Sequence, residues 1–229
     1  MYKLIALVGL SISIMGCSTG TSIAGSGYSI NGTHTILAES FVSELQVRLV
    51  RVSGRPTSCG AGSSDHIELN GPIGPDSTYI VAKYLDMAQP CKNSRGTTLS
   101  TIVYLNSRGG LITDGIELGR LFRKQQVSTR LFGEQQCSSS CAVAFLGGKF
   151  RMLQHETSLI FHAPYTTGSF GQEQCASRNQ ARALKFYYME MVGKEAGNTL
   201  FDRTMSYCGS NEGWVINSGA ARVYGILAD

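Results

Sequence analysis

"TIVYLNSRGGLITDGIELGRLFRKQ", residues 101–125, opens on a largely apolar run, bends through Gly109 and Gly110, and continues with Ile112, Ile116, Leu118 and Leu121 on one side. Apolar residues recurring every three or four positions mark the buried face of a helix, and a short apolar run bounded by turn residues suits a strand covered on both faces. The stretch is therefore a strand, a glycine turn and an amphipathic helix. One such unit cannot bury its own apolar surface, so it needs neighbours of the same kind.

The chain supplies them on both sides. "SELQVRLVRV", ending at Val52, is strand-like, and "HIELNGPIG" from His66 alternates apolar and polar residues before stopping at Gly71 and Pro72. Asp76 and Ser77 stand where they can cap a helix carrying Ile80, Val81, Tyr84, Leu85 and Met87. Further on, "VSTRLFG" reads as a strand, "CAVAFLGG" as a buried helix, and "TSLIFHAP" as a strand stopped by Pro164. Residues 180–205 read as one long helical stretch with Leu184, Tyr187, Tyr188 and Met191 on one face. Strands alternating with helices imply an α/β fold with a mostly parallel sheet. In such sheets sites gather where strands end and helices begin. "NSRGG", "CSSSC" and His162 stand at those junctions.

A length of 229 residues suits one substantial core, and 42% hydrophobic with 16% charged residues excludes a disordered chain. The net charge of +4 is carried by scattered basic residues, so no nucleic-acid partner is expected. The first residues differ. Lys3 is followed by an uncharged apolar run from Leu4 to Met15 that closes on Gly16 and Cys17, a signal-peptide pattern too short for a comfortable membrane span. "IMGC" resembles a bacterial lipobox, which implies that residues 1–16 are removed and that Cys17 is lipidated, attaching the chain to a membrane. Ser18 suits sorting to the outer membrane, with the protein facing the periplasm. Residues 17–60 then read as a tether and a peripheral segment, and residues 61–229 as the domain holding the site.

Six cysteines remain: Cys59, Cys91, Cys137, Cys141, Cys175 and Cys208. An even number in an exported chain implies disulfides, and six cysteines allow 15 pairings. No pair has CxxC spacing and no histidine is placed as a zinc ligand, so neither metal nor other cofactor is expected.

"CSSSCAVAFLGG", residues 137–148, sets three hydroxyls at the mouth of the buried helix. A serine becomes a nucleophile when a base takes its proton and backbone N–H groups face the developing oxyanion. A turn entering a helix offers such groups, because the first amides of a helix have no internal partner. Ser138, Ser139 and Ser140 all qualify, and a simply capped helix start is the competing reading.

"YLNSRGGLITDGIELGRLF", "CSSSCAVAFLGG" and "LIFHAP", in that order, resemble the Clp protease proteolytic subunit of the ClpP/crotonase superfamily. That family has an N-S-P-G-G turn, a helix-entering serine followed nine residues later by glycine, and a strand ending in His-x-Pro. The upstream "IELNGPI" is similar to its first core strand, so the resemblance covers roughly residues 66–227. It implies a spiral of ββα units with a C-terminal helical segment. Ser139, nine residues before Gly148, is then the nucleophile and His162 the general base, with Ser140 and either Gly109 or Gly110 giving the oxyanion amides. The C-x-S-x-C frame looks like an exported branch of the superfamily, in which a Cys137–Cys141 bridge would fix the nucleophile; Cys175 and Cys208 are the other possible partners. Arg108 stands where the family has proline. The family's third triad position falls on Gly213, leaving Glu212, or Asn211 in its stead, to orient His162. The helix after residue 180 corresponds to a handle that joins subunits in the family, which implies a homo-oligomer.

His34, His66 and His155 read as surface or hydrogen-bonded residues, and Trp214 as packing under the C-terminal segment. The resemblance implies a serine peptidase acting on peptide or unfolded protein, and export to a compartment that lacks ATP implies that it works without the family's unfoldase partners. A non-catalytic scaffold or interaction lipoprotein on the same fold is the alternative. A coenzyme A-dependent enzyme of the crotonase branch is disfavoured by the Ser-His pair.

Overall fold

The computed structural model describes residues 32–53, 63–89, 91–93 and 95–227. The signal-peptide reading, Cys17 and Cys59 lie outside the described residues. The elements run β1 (Thr33–Val42), β2 (Leu45–Ser53), β3 (Ser64–Asn70), α1 (Ser77–Met87), β4 (Ile102–Asn106), α2 (Ile112–Lys124), β5 (Ser128–Leu131), β6 (Cys137–Ser138) and α3 (Ser140–Phe145). They continue with β7 (Phe150–Leu153), β8 (Ser158–Phe161), β9 (Tyr165–Thr167), β10 (Glu173–Cys175), α4 (Arg182–Val192), α5 (Lys194–Thr204), β11 (Trp214–Asn217) and α6 (Ser218–Val223).

The main sheet has the order β1-β2-β3-β4-β5-β7, antiparallel across its first two pairings and parallel across the next three. A smaller sheet, β11-β8-β6, holds β6 and β8 parallel. This is the mixed α/β, ClpP-like arrangement implied by the motifs. Among the described residues no helix is long and apolar enough to cross a membrane.

Two boundaries differ from the sequence reading. Residues 33–53, taken as tether and periphery, build two strands of the main sheet, and Leu45, Val47 and Leu49 of β2 are fully buried against Ile67 and Leu69 of β3. The alternation in "LQVRLVRV" was legible; what decided its place was pairing with β3, a long-range choice that local composition does not encode. The helical stretch 180–205 divides at Gly193, whose φ of 88° stops α4 and starts α5. Leu184, Tyr187, Tyr188 and Met191 do share a face, but that face is buried inside the chain, so these side chains join no second subunit.

Asp76 does not cap α1 with its side chain. It takes a left-handed conformation (φ 66°), and Ser77 Oγ instead accepts from the Gly74 N–H at 3.0 Å.

Glycines set the site's depth in the fold. A Cβ on Gly115 of α2 would fall 2.6 Å from the Ser140 carbonyl oxygen, and one on Gly119 would overlap the Tyr187 hydroxyl and sit 3.3 Å from Ala144 Cα. From the other helix's side, a Cβ on Gly147 would overlap the Gly119 carbonyl. The α2 and α3 backbones therefore pack in near contact, and all six residues of α3 are buried. Beyond α3 the Leu146 and Met191 carbonyls, at the C-terminal ends of α3 and α4, accept from Arg123 Nη2, each at 3.1 Å, and from Arg151 Nη1 at 3.1 and 3.5 Å. Burial pushes the Arg151 guanidinium down to about 10, and the bound carbonyls offset part of that desolvation.

Gly119→Ala should cost about 1–3 kcal/mol of unfolding free energy by overpacking. Gly219→Ala in α6, whose Cβ would meet only the Asn217 side chain at 3.5 Å, should gain up to about 1 kcal/mol. Urea unfolding of the two variants checks the contrast.

Candidate active site

The sequence "QCSSSC" makes a strand only two residues long because its next residue leaves the pleat: Ser139 has φ 56° and ψ −126°. A non-glycine residue in this region is strained by about 1–3 kcal/mol, and such residues persist where the surroundings over-determine them. Here β6, Ser139 and α3 form a sharp strand-to-helix turn, the arrangement that presents a nucleophilic serine in several hydrolase folds. Four constraints hold it. The Ser139 N–H donates to the Ile160 carbonyl at 2.8 Å, and the Ser139 carbonyl accepts from the Val143 N–H at 3.1 Å. Cys137 and Cys141, both fully buried, are joined by a disulfide across the serines. Finally, Gly109 lies against the turn: a Cβ there would come 2.5 Å from Ser139 Cβ, 2.7 Å from the Ser138 carbonyl oxygen and 3.1 Å from Ser140 N.

The three serines are not equivalent. Ser138 lies in β6, paired with Ile160 of β8. Ser140 is fully buried and its Oγ has no hydrogen-bond partner. Ser139 alone sits at the strained corner, half-buried.

The glycine turn is arranged by a residue that the sequence reading passed over. Ser107 is buried, and its Oγ accepts from the Gly109 N–H at 3.0 Å. Its backbone ties β4 to β6, with Ser107 N–H donating to the Gln136 carbonyl at 2.7 Å and Ser138 N–H donating to the Ser107 carbonyl at 3.1 Å. A serine two residues before glycine is the signature of a hydroxyl-closed turn, and that was the available signal. Gly109 gives its amide to Ser107, whereas among the described residues the Gly110 N–H has no such acceptor. The Ile73 N–H donates to the Gly109 carbonyl and the Leu111 N–H to the Ile73 carbonyl, both at 2.9 Å, so "GPI" braces the turn from outside. Both glycines have positive φ, 101° and 150°, which their lack of a side chain permits. Arg108 is exposed beside them.

His162 follows the last residue of β8. The parallel register pairs Ser138 with Ile160, so the strands that lead to Ser139 and to His162 are neighbours. No hydrogen bond joins Ser139 Oγ to the imidazole. Nδ1 is 3.0 Å from the Ala163 carbonyl oxygen. A carbonyl only accepts, so in the neutral ring Nδ1 carries the proton and Nε2 presents its lone pair. The ring lies against Tyr165, with centroids 5.5 Å apart.

Glu212 and Asn211 are exposed, and among the described residues no hydrogen bond or ion pair links either to His162. The other histidines are remote in the fold or in solvent: His66 Nε2 is 3.1 Å from Glu68 Oε1 on β3, with the His34 ring 6.1 Å away, and His155 is exposed. Trp214 packs between Phe161 and Tyr224. A second disulfide joins Cys175 to Cys208, and Cys91 is bonded as well. Among the described residues no group of three or more His, Cys, Asp or Glu is placed to hold a metal.

No protein-family model and no curated protein sequence matches the chain. Solved structures do. A mutant of the 1510-N membrane-bound stomatin-specific protease is 13% identical, with a TM-score of 0.55 over 70% of this chain and 75% of that one. A mutant of ClpP1 from Listeria monocytogenes is 15% identical (70% of this chain, 86% of that one, TM-score 0.48). The ClpP protease catalytic domain from Plasmodium falciparum is 18% identical (70% and 80%, TM-score 0.48). What this chain shares with the first of these is its fold.

Loop closure sets the relative worth of the two disulfides. Removing Cys175–Cys208, which spans 33 positions, should cost about 4 kcal/mol, and removing Cys137–Cys141, which spans 4, about 2 kcal/mol. Denaturant midpoints of the paired Cys→Ala variants test the order.

Proposed function

We propose that this chain is an exported, lipid-anchored serine hydrolase, an ATP-independent endopeptidase for unfolded or extended peptide segments. The observation that carries the reading is Ser139, held at φ 56° on a strand-to-helix turn whose strand pairs with the one that leads to His162. In the proposed reaction Ser139 Oγ bonds to the peptide carbonyl carbon while His162 Nε2 takes its proton. The oxyanion is met by the Ser140 and Gly110 amides. The imidazolium then gives its proton to the amine as the C–N bond breaks, and water repeats the sequence to release the acyl group. The residues need no cofactor for these steps.

The similar structure with a TM-score of 0.55 is a stomatin-specific protease, and the fold held in common supports a peptidase over an ester hydrolase. Attachment to the outer membrane through a lipid on Cys17, with the domain in the periplasm, is supported by the lipobox-like "IMGC" and by the two internal disulfides, which suit an oxidising compartment. Self-association belongs to the same reading, through a surface other than the buried face of α4. A second reading, a non-catalytic interaction lipoprotein on this fold, is favoured by the lack of any carboxylate hydrogen-bonded to His162 among the described residues.

Fluorophosphonate labelling tests the choice. Wild type and Ser140→Ala should be labelled and Ser139→Ala should not; Ser140→Ala, which removes an unpartnered buried hydroxyl, should also gain about 1 kcal/mol of stability. An unlabelled wild type would support the scaffold reading. Separately, incorporation of an alkyne-tagged fatty acid in bacteria should disappear in Cys17→Ala.

A further inference from the structure

Among the described residues no carboxylate is hydrogen-bonded to His162, yet an imidazole that accepts a proton during attack becomes a cation, and Glu173 is an acid held in its fold neighbourhood. On the hydrolase reading just given, we infer that Glu173 is the positioning residue of His162, supplying the negative charge that the C-terminal Glu212 does not.

Three separate ties bring Glu173 there. Its Oε2 accepts from the Ser210 N–H at 2.9 Å, and the same oxygen lies against Gly209. The segment it grips is the one that pairs with the residue following His162: the Ala163 N–H donates to the Tyr207 carbonyl at 2.8 Å, and Ala163 bridges Cys208 in parallel. From the other side, β10 pairs with β9 so that Cys175 faces Tyr165 and Glu173 faces Thr167; Tyr165 is the residue whose ring lies against His162. The Cys175–Cys208 disulfide closes the circuit by bonding Glu173's own strand to the loop that its carboxylate grips.

The electrostatics agree with the geometry. Hydrogen bonds from the Ser210 side chain and amide hold the Glu173 carboxyl below the usual carboxylate range, and the His162 charge lowers it further. Since Nδ1 is already bonded to the Ala163 carbonyl, Glu173 acts on the ring through space, by favouring the imidazolium and by fixing the β9–β10 hairpin whose Tyr165 ring lies against it.

The test is the kinetics of fluorophosphonate labelling on the full chain, resolved into the maximal labelling rate and the half-saturating probe concentration. Glu173→Gln should lower the maximal rate roughly three- to fivefold, as expected for one exposed charge pair, with the half-saturating concentration and melting temperature unchanged. Glu173→Asp should recover part of the rate. A merely structural role would move melting and probe affinity together and would not be rescued by charge. Wild-type rates in Glu173→Gln, or the same loss in Glu212→Gln with none in Glu173→Gln, would overturn the assignment while Ser139-dependent labelling of the wild type kept the hydrolase reading intact. Absence of labelling in the wild type would end both.

Discussion

The structure depends on two helices packed backbone to backbone. Gly115 and Gly119 strip α2 of side chains along the line where α3 crosses it, and Gly147 does the same at the far end of α3. Dispersion is short-ranged, so the near contact is favourable only while the surfaces match, and a single added methyl group opens it. Because α3 is six residues long and wholly buried, its start has no freedom of its own. Where α2 lies, Ser139 lies.

That rigidity is what makes the strain at Ser139 affordable. A left-handed serine costs about 1–3 kcal/mol, against which stand two backbone hydrogen bonds and a disulfide spanning the corner. Each hydrogen bond contributes about 1 kcal/mol net, so no single tie would hold the corner, and together they exceed the strain. Gly109 completes the pocket by being small: its approach to Ser139 and to the Ser140 amide is closer than any other residue permits. Ser107 holds Gly109 in turn, so the residues between β4 and α2 and those between β6 and α3 form one interlocked piece.

Much of the fold was legible because it is local. The strand, glycine turn and helix of residues 101–125, and the amphipathic face of Leu184, Tyr187, Tyr188 and Met191, are written in spacing and appear as β4, α2 and α4. What the sequence hid is non-local. That β2 sits in the main sheet depends on pairing with β3, and that the face of α4 meets its own chain depends on Tyr187 donating to the Val143 carbonyl at 2.8 Å. Gly193 inside a helical pattern is a breaker only when the backbone must turn there, as its φ of 88° requires. At the candidate site, the motifs led to the glycine turn, which lies against Ser139, and to His162, which follows the strand paired with β6. They also led to Glu212 and Asn211, which the chain leaves in solvent.

The reason for that last difference lies in how His162 is housed. In a chain without cross-links, the acid serving a histidine must come from an element whose own packing fixes it, and a residue in the C-terminal segment after α5 is an obvious source. Here the segment between α5 and β11 is pinned by Cys208 to Cys175, and the β9–β10 hairpin is folded back over the end of β8. A bond spanning 33 positions cannot be read from spacing, since six cysteines pair in 15 ways. Once formed, it ties to that segment the hairpin whose Tyr165 ring lies against the imidazole, while Asn211 and Glu212 stay exposed. The surroundings of His162 therefore include a covalent link that local spacing does not encode.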